Sequence, residues 1–301
     1  MDKLVSIIVP TYGGGEMLCR TVDSLLSQTY PNVEIVVVDD NGIGTPNQIA
    51  TEKVMSAYSC FGNVKYICHD VNKNGSAARN TGVKSSGGVY IGFLDDDDIY
   101  HPEKIAKQVE LLESLDQSYG LTYCSNEVYR GDHKISEAHV YKDGYIFADI
   151  LTQSVQISTP SMLIRRSAYE SIGGFDESFK RHQDLEFLVR LTNKYKAKSL
   201  DYIGFRIYIT NRNSARNFEQ MQAWREHYLE KMMPYIKQLP KKTQKNIIIY
   251  QQLDAAFQLI KEKRFKEYLC QIDKIKPGCR IFISWCRVLV YFVKNFMGIS
   301  Q

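Results

Sequence analysis

The stretch best suited to chemistry begins Tyr90-Ile91-Gly92-Phe93-Leu94 and continues Asp95-Asp96-Asp97-Asp98-Ile99-Tyr100-His101-Pro102. A short apolar run of β character delivers four consecutive carboxylates, and Pro102 reads as the opening of a helix, where its missing N–H costs nothing. Four adjacent like charges repel. The run is therefore either a solvated acidic loop or a place where something cationic is held. Its position favours the second, because ligands of open α/β sheets bind outside the carboxyl ends of the strands. A calcium loop of EF-hand type fails on spacing: counting from Asp95, the sixth position is Tyr100 instead of Gly and the twelfth is Ala106 instead of Glu. A second acidic pair, Asp39-Asp40, closes another apolar run, Ile35-Val36-Val37-Val38.

The elements that must position these acids alternate. Val5 to Pro10 has the look of a strand buried on both faces. A helix is expected over roughly 17–28, with Leu18, Val22, Leu25 and Leu26 on one stripe. Strands at 34–40 and 64–69 enclose a helical stretch at 47–58, and another helix starts near Ser76, which could cap it. The strand into the four acids is the fourth. This spacing implies right-handed crossovers and a mainly parallel α/β sheet. If the two acid-tipped strands are neighbours, both acidic ends share one rim.

At 301 residues, 44% apolar and 24% charged, the chain reads as an ordinary globular protein of about two units. Its first residues show no basic n-region and apolar core of a secretory leader. Seven scattered cysteines without a C-x-x-C pair speak against a disulfide framework or structural zinc, and for a reducing cytosol. The net charge of +4 is unevenly spread. Residues 1–220 hold 23 Lys/Arg against 28 Asp/Glu, and residues 221–301 hold 15 against 6.

Six segments in order carry a resemblance. They are Val5-Ser6-Ile7-Ile8-Val9-Pro10-Thr11-Tyr12, Val38-Asp39-Asp40-Asn41-Gly42, Ala78-Arg79-Asn80-x-Gly82, Phe93 to Asp98, Gly173-Gly174-Phe175-Asp176-Glu177 and Gln183-Asp184-Leu185-Glu186-Phe187-Leu188-Val189-Arg190. Together they resemble the signature series of family 2 inverting glycosyltransferases with the GT-A fold, over roughly residues 4–215. The resemblance implies a Rossmann-like catalytic domain over 1–219, with a donor half to about residue 100 and an acceptor half after it. It also implies roles. Pro10, Thr11 and Tyr12 would lie against a nucleobase, with Asp40 contacting it and Asp39 beside Asp40. Arg79 would stand on the nucleotide side and Asp96 toward the ribose. Asp95 and Asp97 would form the metal-binding D-x-D element, for Mn²⁺ or Mg²⁺. Asp98 is expected to help the turn into the Pro102 helix.

The chemistry has a plain physical need. As a sugar leaves a nucleoside diphosphate, negative charge develops on the phosphates, and a cation held by hard oxygens stabilises it. Inversion also needs a base on the opposite face of the sugar. The candidate is Asp184, which opens a helical pattern with Leu185, Leu188 and Leu191. The family usually has an acid just before this Asp; here Gln183 stands there. Phe175 and Asp176 would lead to the acceptor side, and Arg212 and Arg216 are possible diphosphate contacts. For His182 a surface role is the simpler reading.

Beyond Glu219 the chain turns basic and helical, with segments near 221–233, 246–260 and 265–275 punctuated by Pro234 and Pro240. Cys279 to Met297 is mostly apolar, with Arg280, Arg287 and Lys294 seven residues apart on one helical stripe. A central arginine is costly in a bilayer span. The preferred reading is a helix in the membrane interface facing anionic headgroups, with packing onto the protein or a homodimer partner as the alternative.

The expectation is thus a cytoplasmic, peripherally membrane-bound enzyme moving a sugar from a nucleotide donor, UDP-linked by preference, to a hydroxyl of a lipid-linked glycan, as in capsule assembly. A glycoside hydrolase, which also uses paired carboxylates, is one alternative. An inactive sugar-nucleotide-binding subunit is the other. Nucleic-acid binding is not expected, since the basic residues gather on an apolar tail without a recognition motif.

Overall fold

The computed structural model describes residues 2–13, 15–209 and 217–275. The chain forms two compact units, Met1–Arg212 and Asn213–Gln301. The first unit opens with β1 (Val5–Thr11), α1 (Glu16–Leu26), β2 (Val33–Asp39), α2 (Pro46–Ser56), β3 (Val64–Cys68), α3 (Gly75–Lys84) and β4 (Tyr90–Phe93). It continues through β5 (Ile99–Tyr100), α4 (Lys104–Glu113), β6 (Tyr119–Arg130), β7 (His133–Ala138), α5 (Phe147–Thr152), β8 (Met162–Arg165), α6 (Arg166–Ser171), α7 (Gln183–Lys194) and β9 (Lys196–Tyr208).

The nine strands form one sheet in the order β3-β2-β1-β4-β8-β6-β9-β5, with β7 paired to β6. β1 runs parallel to β2 and β4, and β2 parallel to β3. β8 lies antiparallel between β4 and β6, and β9 runs parallel to β6. The carboxyl ends of β1, β2, β4, β6 and β9 therefore share one rim. Continuous apolar runs make the middle strands: Val5, Ile7, Ile8 and Val9 are fully buried, as are Ile35 to Val38. Over this floor, α3 comes so close that a Cβ on Gly82 would fall 2.2 Å from Ile8 Cγ2, a contact only glycine permits.

Several local expectations are corrected. The cap of α3 is Asn74, whose side chain accepts from the backbone N–H groups of Ser76 and Ala77, so Ser76 lies inside the helix. Pro102 sits in a turn, and α4 starts at Lys104. The last strand of the first unit, β9, starts at Lys196, ahead of the run Tyr202 to Ile209 whose composition suggests a strand.

The second unit contains α8 (Phe218–Ile236), α9 (Lys241–Lys261) and α10 (Phe265–Ile275). Pro234 does not end α8 but lies within its last turn. Leu259, Ile260, Tyr268 and Ile272 form a separate small core with Phe218 and Ala256. No described helix is long and apolar enough to cross a membrane. The basic-apolar segment from Cys279 to Met297 lies outside the described residues.

Candidate active site at the strand rim

Parallel pairing brings the two acid-tipped strands to one place. Thr11 on β1 pairs with Asp39 on β2, and Ile8 on β1 pairs with Phe93 on β4. A cavity of about 270 Å³ opens at this rim. Its wall combines Pro10, Thr11 and Tyr12 after β1, Asp40 after β2, Gly75, Ala78 and Arg79 on α3, and Asp95, Asp96 and Asp97 after β4. Tyr12 is 63% exposed at the lip.

The four acids are not equivalent. Asp96 is buried and accepts from Thr11 Oγ1 at 2.6 Å. Asp95, half-buried, pairs with Arg79 Nη2 at 2.8 Å. Asp97 is half-buried on the cavity wall. Asp98 does not serve the turn toward Pro102. Its Oδ1 accepts from the Tyr208 backbone N–H at 3.0 Å, and its carbonyl accepts from Thr21 Oγ1 at 2.8 Å, so it ties the acidic loop to β9 and α1. Burial, then the charges of Asp95 and Asp97, push the Asp98 carboxyl up to about 9.

The acids after β2 are spent on the frame. Asp39 is fully buried, accepting from Tyr66 Oη at 2.6 Å and from the backbone and side chain of Asn41. Asp40 Oδ1 meets His69 Nδ1 at 2.7 Å and the Lys73 N–H at 2.7 Å. Its Oδ2 accepts from Asn72 Nδ2 at 2.9 Å and the Asn74 N–H at 2.8 Å. A carboxylate accepts about four hydrogen bonds, so this one has no acceptor left for a nucleobase. Asp40 shapes the cavity by holding the segment that launches α3.

Arg79 connects the acids to the second candidate region. One nitrogen donates to Asp95 and another to Gln183 Oε1 at 3.1 Å, and the guanidinium lies 5.6 Å from the Phe175 ring centroid. Gln183 Nε2 in turn donates to the Phe179 carbonyl at 2.8 Å, a bond that a carboxylate there could not make. Asp184, in the first turn of α7, accepts from the Leu185 N–H at 2.9 Å. Burial raises its pKa; the Arg79 charge opposes that shift and the Asp95 charge adds to it. The base candidate and the acidic loop thus feel each other electrostatically.

Other expected residues fall differently. Phe175 is only 3% exposed, stacked on Phe187 at 4.2 Å and edge-on to Phe93 at 5.3 Å, so it is core beneath Arg79 and not an acceptor-facing surface. Asp176 Oδ1 accepts from the Ser178 N–H within the loop. His182 takes a left-handed backbone, φ 59°, just before α7. Arg212 and Arg216 lie outside the described residues. Sequence reasoning gave no role to Asn80, although it adjoins Arg79 in the same motif.

The oxygens present suit a small hard cation. Among the described residues, no group of three or more His, Cys, Asp or Glu is set to hold a metal. Mg²⁺ or Mn²⁺ does not require one, since one or two carboxylates and substrate phosphates complete its shell. The charges of Asp95 and Asp97 are a secondary cause, after burial, of the raised Asp98 pKa.

A sheet in this order, with acids at the end of β4, is the GT-A fold of glycosyltransferases. Solved structures with this fold include Staphylococcus aureus TarS residues 1–349 in complex with UDP-GlcNAc, at TM-score 0.61 and 16% identity, covering 98% of this chain and 92% of that one. The mannosyltransferase PcManGT from Pyrobaculum calidifontis, in complex with GDP-Man and Mn²⁺, aligns at TM-score 0.61 and 15% identity, covering 100% of this chain and 82% of that one. The chain belongs to glycosyl transferase family 2, whose profile matches residues 6–173. An uncharacterized glycosyltransferase of Rickettsia typhi is 30% identical over 251 residues, 77% of this chain and 73% of the relative. The amylovoran biosynthesis glycosyltransferase AmsB of Erwinia amylovora is 26% identical over 207 residues, 63% of this chain and 64% of the relative.

Proposed function

We propose that this family 2 glycosyltransferase inverts configuration, displacing a nucleoside diphosphate directly with an acceptor hydroxyl. The observation that carries the reading is that Arg79 donates both to Asp95 of the acidic loop and to Gln183, the residue just before Asp184. Asp184 takes the proton from the attacking hydroxyl, and its raised pKa makes it a stronger base than an exposed carboxylate. Asp95 and Asp97 would hold Mn²⁺ or Mg²⁺, which supplies charge stabilisation for the leaving diphosphate. Tyr12 offers its exposed ring to the base, and Asp96, fixed by Thr11, faces the ribose side.

The donor we propose is a UDP-sugar, supported by the UDP-GlcNAc complex of TarS; the GDP-Man complex of PcManGT makes GDP-sugars the comparison arm. The acceptor is a hydroxyl of a surface glycan, supported by the amylovoran role of AmsB. Residues 1–219 carry catalysis. Residues 220–301, with their basic excess and the basic stripe of Arg280, Arg287 and Lys294 in an apolar segment, hold the enzyme at the cytoplasmic face of a membrane beside a lipid-linked acceptor.

Isothermal titration of UDP and GDP, with and without Mn²⁺, tests the donor side: metal-dependent binding of UDP is expected, and absence of metal-dependent binding of either removes the reading. Asp184→Asn abolishes transfer and spares UDP binding; near-normal turnover would remove Asp184 as the base. Metal-independent release of free sugar from a glycan, with no nucleotide requirement, would point to a hydrolase.

A further inference from the structure

Asn80 uses its whole amide on the loop after α6 and on Tyr169 of α6 itself. Its Nδ2 donates to the Phe175 carbonyl at 2.9 Å and to Glu177 Oε1 at 2.8 Å. Its Oδ1 accepts from the Phe175 N–H at 3.0 Å and from Tyr169 Oη at 2.6 Å. These four bonds fill the capacity of a primary amide. Both polar groups of the Phe175 backbone are thereby read by a single side chain on α3. The approach is tight: a Cβ on Gly174, whose φ is +74°, would lie 2.8 Å from both Asn80 Oδ1 and Tyr169 Oη.

The same loop is gripped from the other side by α7. Arg190 donates from Nη1 to the Ile172 carbonyl at 2.6 Å and from Nη2 to the Gly174 carbonyl at 2.7 Å, while Glu186 holds its guanidinium. Phe187 stacks on Phe175 nearly parallel, at 15°. Asp184 lies one turn before Phe187 on that helix. Two links therefore run from α3 to the start of α7. Arg79 reaches Gln183 directly, and Asn80 reaches Phe187 and Arg190 through the loop.

Resting on Asp184 as the base, we propose that Asn80 is a positioning residue. It sets the distance between the base on α7 and the donor held at the rim, and makes no contact with donor or acceptor. Arg79 already serves the charged side of this junction; Asn80 is the neutral tether that fixes its geometry. A displacement of about 1 Å at a reacting group can cost about 100-fold in rate while leaving ground-state binding intact.

The test compares Asn80→Ala, Asn80→Asp and Tyr169→Phe in the full chain, reading UDP affinity with Mn²⁺ and turnover as UDP release from the best sugar nucleotide of a donor screen. Asn80→Ala is expected to lower kcat by about 10- to 100-fold with donor KM and UDP affinity within about twofold of the parent. Asn80→Asp places a carboxylate against Glu177 and the Phe175 carbonyl, so it too loses kcat. Adding Glu177→Gln restores a donor to that contact and should recover part of the loss. Tyr169→Phe removes one bond without a cavity at Asn80, and a fall of about three- to tenfold is expected even if the alanine variant does not fold. Parallel loss of kcat and UDP affinity in Tyr169→Phe, or no rescue by Glu177→Gln, would overturn the proposal. Asp184→Asn separates the two readings. If it is inactive while Asn80→Ala turns over normally, the tether is wrong and the base stands; if it retains turnover, the base itself is wrong.

Discussion

Arg79 donates to Asp95 at 2.8 Å, so the guanidinium occupies a carboxylate assigned here to the metal. A cation held there, as proposed, would share that oxygen with the arginine, and a bound diphosphate would engage both. Replacing Arg79 with alanine should therefore split two affinities. Mn²⁺ binding to the free protein should tighten, and UDP binding in the presence of Mn²⁺ should weaken by about tenfold or more. Manganese titration followed by electron paramagnetic resonance, beside calorimetry with UDP, checks both. A uniform loss would mean that Arg79 only supports the fold.

Asp184 gives a pH prediction. Its pKa is raised by burial, and a base must be unprotonated to act, so turnover falls as pH drops through a value above the ordinary carboxylate range. Arg79 lowers that pKa. At saturating donor, the acid limb in Arg79→Ala should therefore move to still higher pH. A kcat profile measured through and above the ordinary carboxylate range decides it; an unmoved limb would separate Arg79 from the base.

The bond from Thr11 to Asp96 is buried and ends on a carboxylate, the strong class of hydrogen bond. Thr11→Val keeps the shape and removes the donor. A loss of about 2 kcal/mol in stability is expected, together with several-fold weaker UDP binding as Asp96 loses its orientation. Urea denaturation and calorimetry measure the two effects separately.

Lys104 is buried, bonded to Gln108 Oε1 at 2.6 Å and 3.9 Å from the Tyr100 ring centroid. Burial lowers its pKa from 10.5 to about 8. Below pH 8 the folded state carries a charged buried amine at a cost on the order of 3 kcal/mol. Between pH 8 and 10.5 the unfolded chain binds more protons there, so stability from this group rises with pH. The melting temperature of the parent relative to that of Lys104→Met should rise as pH increases from 7 to about 9.5. A constant difference would contradict it.

The parallel half of the fold was legible because its central strands β1, β2 and β4 are buried on both faces. Runs such as Val5 to Val9 and Ile35 to Val38 leave no other place for themselves than mid-sheet. The other half hides. β7 is exposed along its whole length and carries no apolar alternation, and β8 is four residues long with Arg165 at its end. The cap of α3 was misplaced because Asn74 and Ser76 both have suitable side chains, and only the positive φ of Asn74 marks the turn. At the site, residue types pointed to the acids and to Asp184. What they could not convey was direction: that Asp98 faces β9, that Asp40 turns to its own loop, and that Phe175 is core. Those follow from long-range partners such as Tyr208 and Phe187, over a hundred residues away for Asp98 but a few turns for Phe175.

The saturated carboxylate of Asp40 has a bearing on how such an enzyme changes its donor over evolutionary time. Because this acid is committed to the chain's own backbone, altering it would shift α3, and with it Arg79 and Asn80. Tyr12 has no such commitment: it stands open to solvent at the lip. If the donor sits as proposed, single substitutions at the lip would change nucleotide preference, while the acid behind it stays under the constraint of a frame residue. Diversification is cheap on one side of the cavity and blocked on the other.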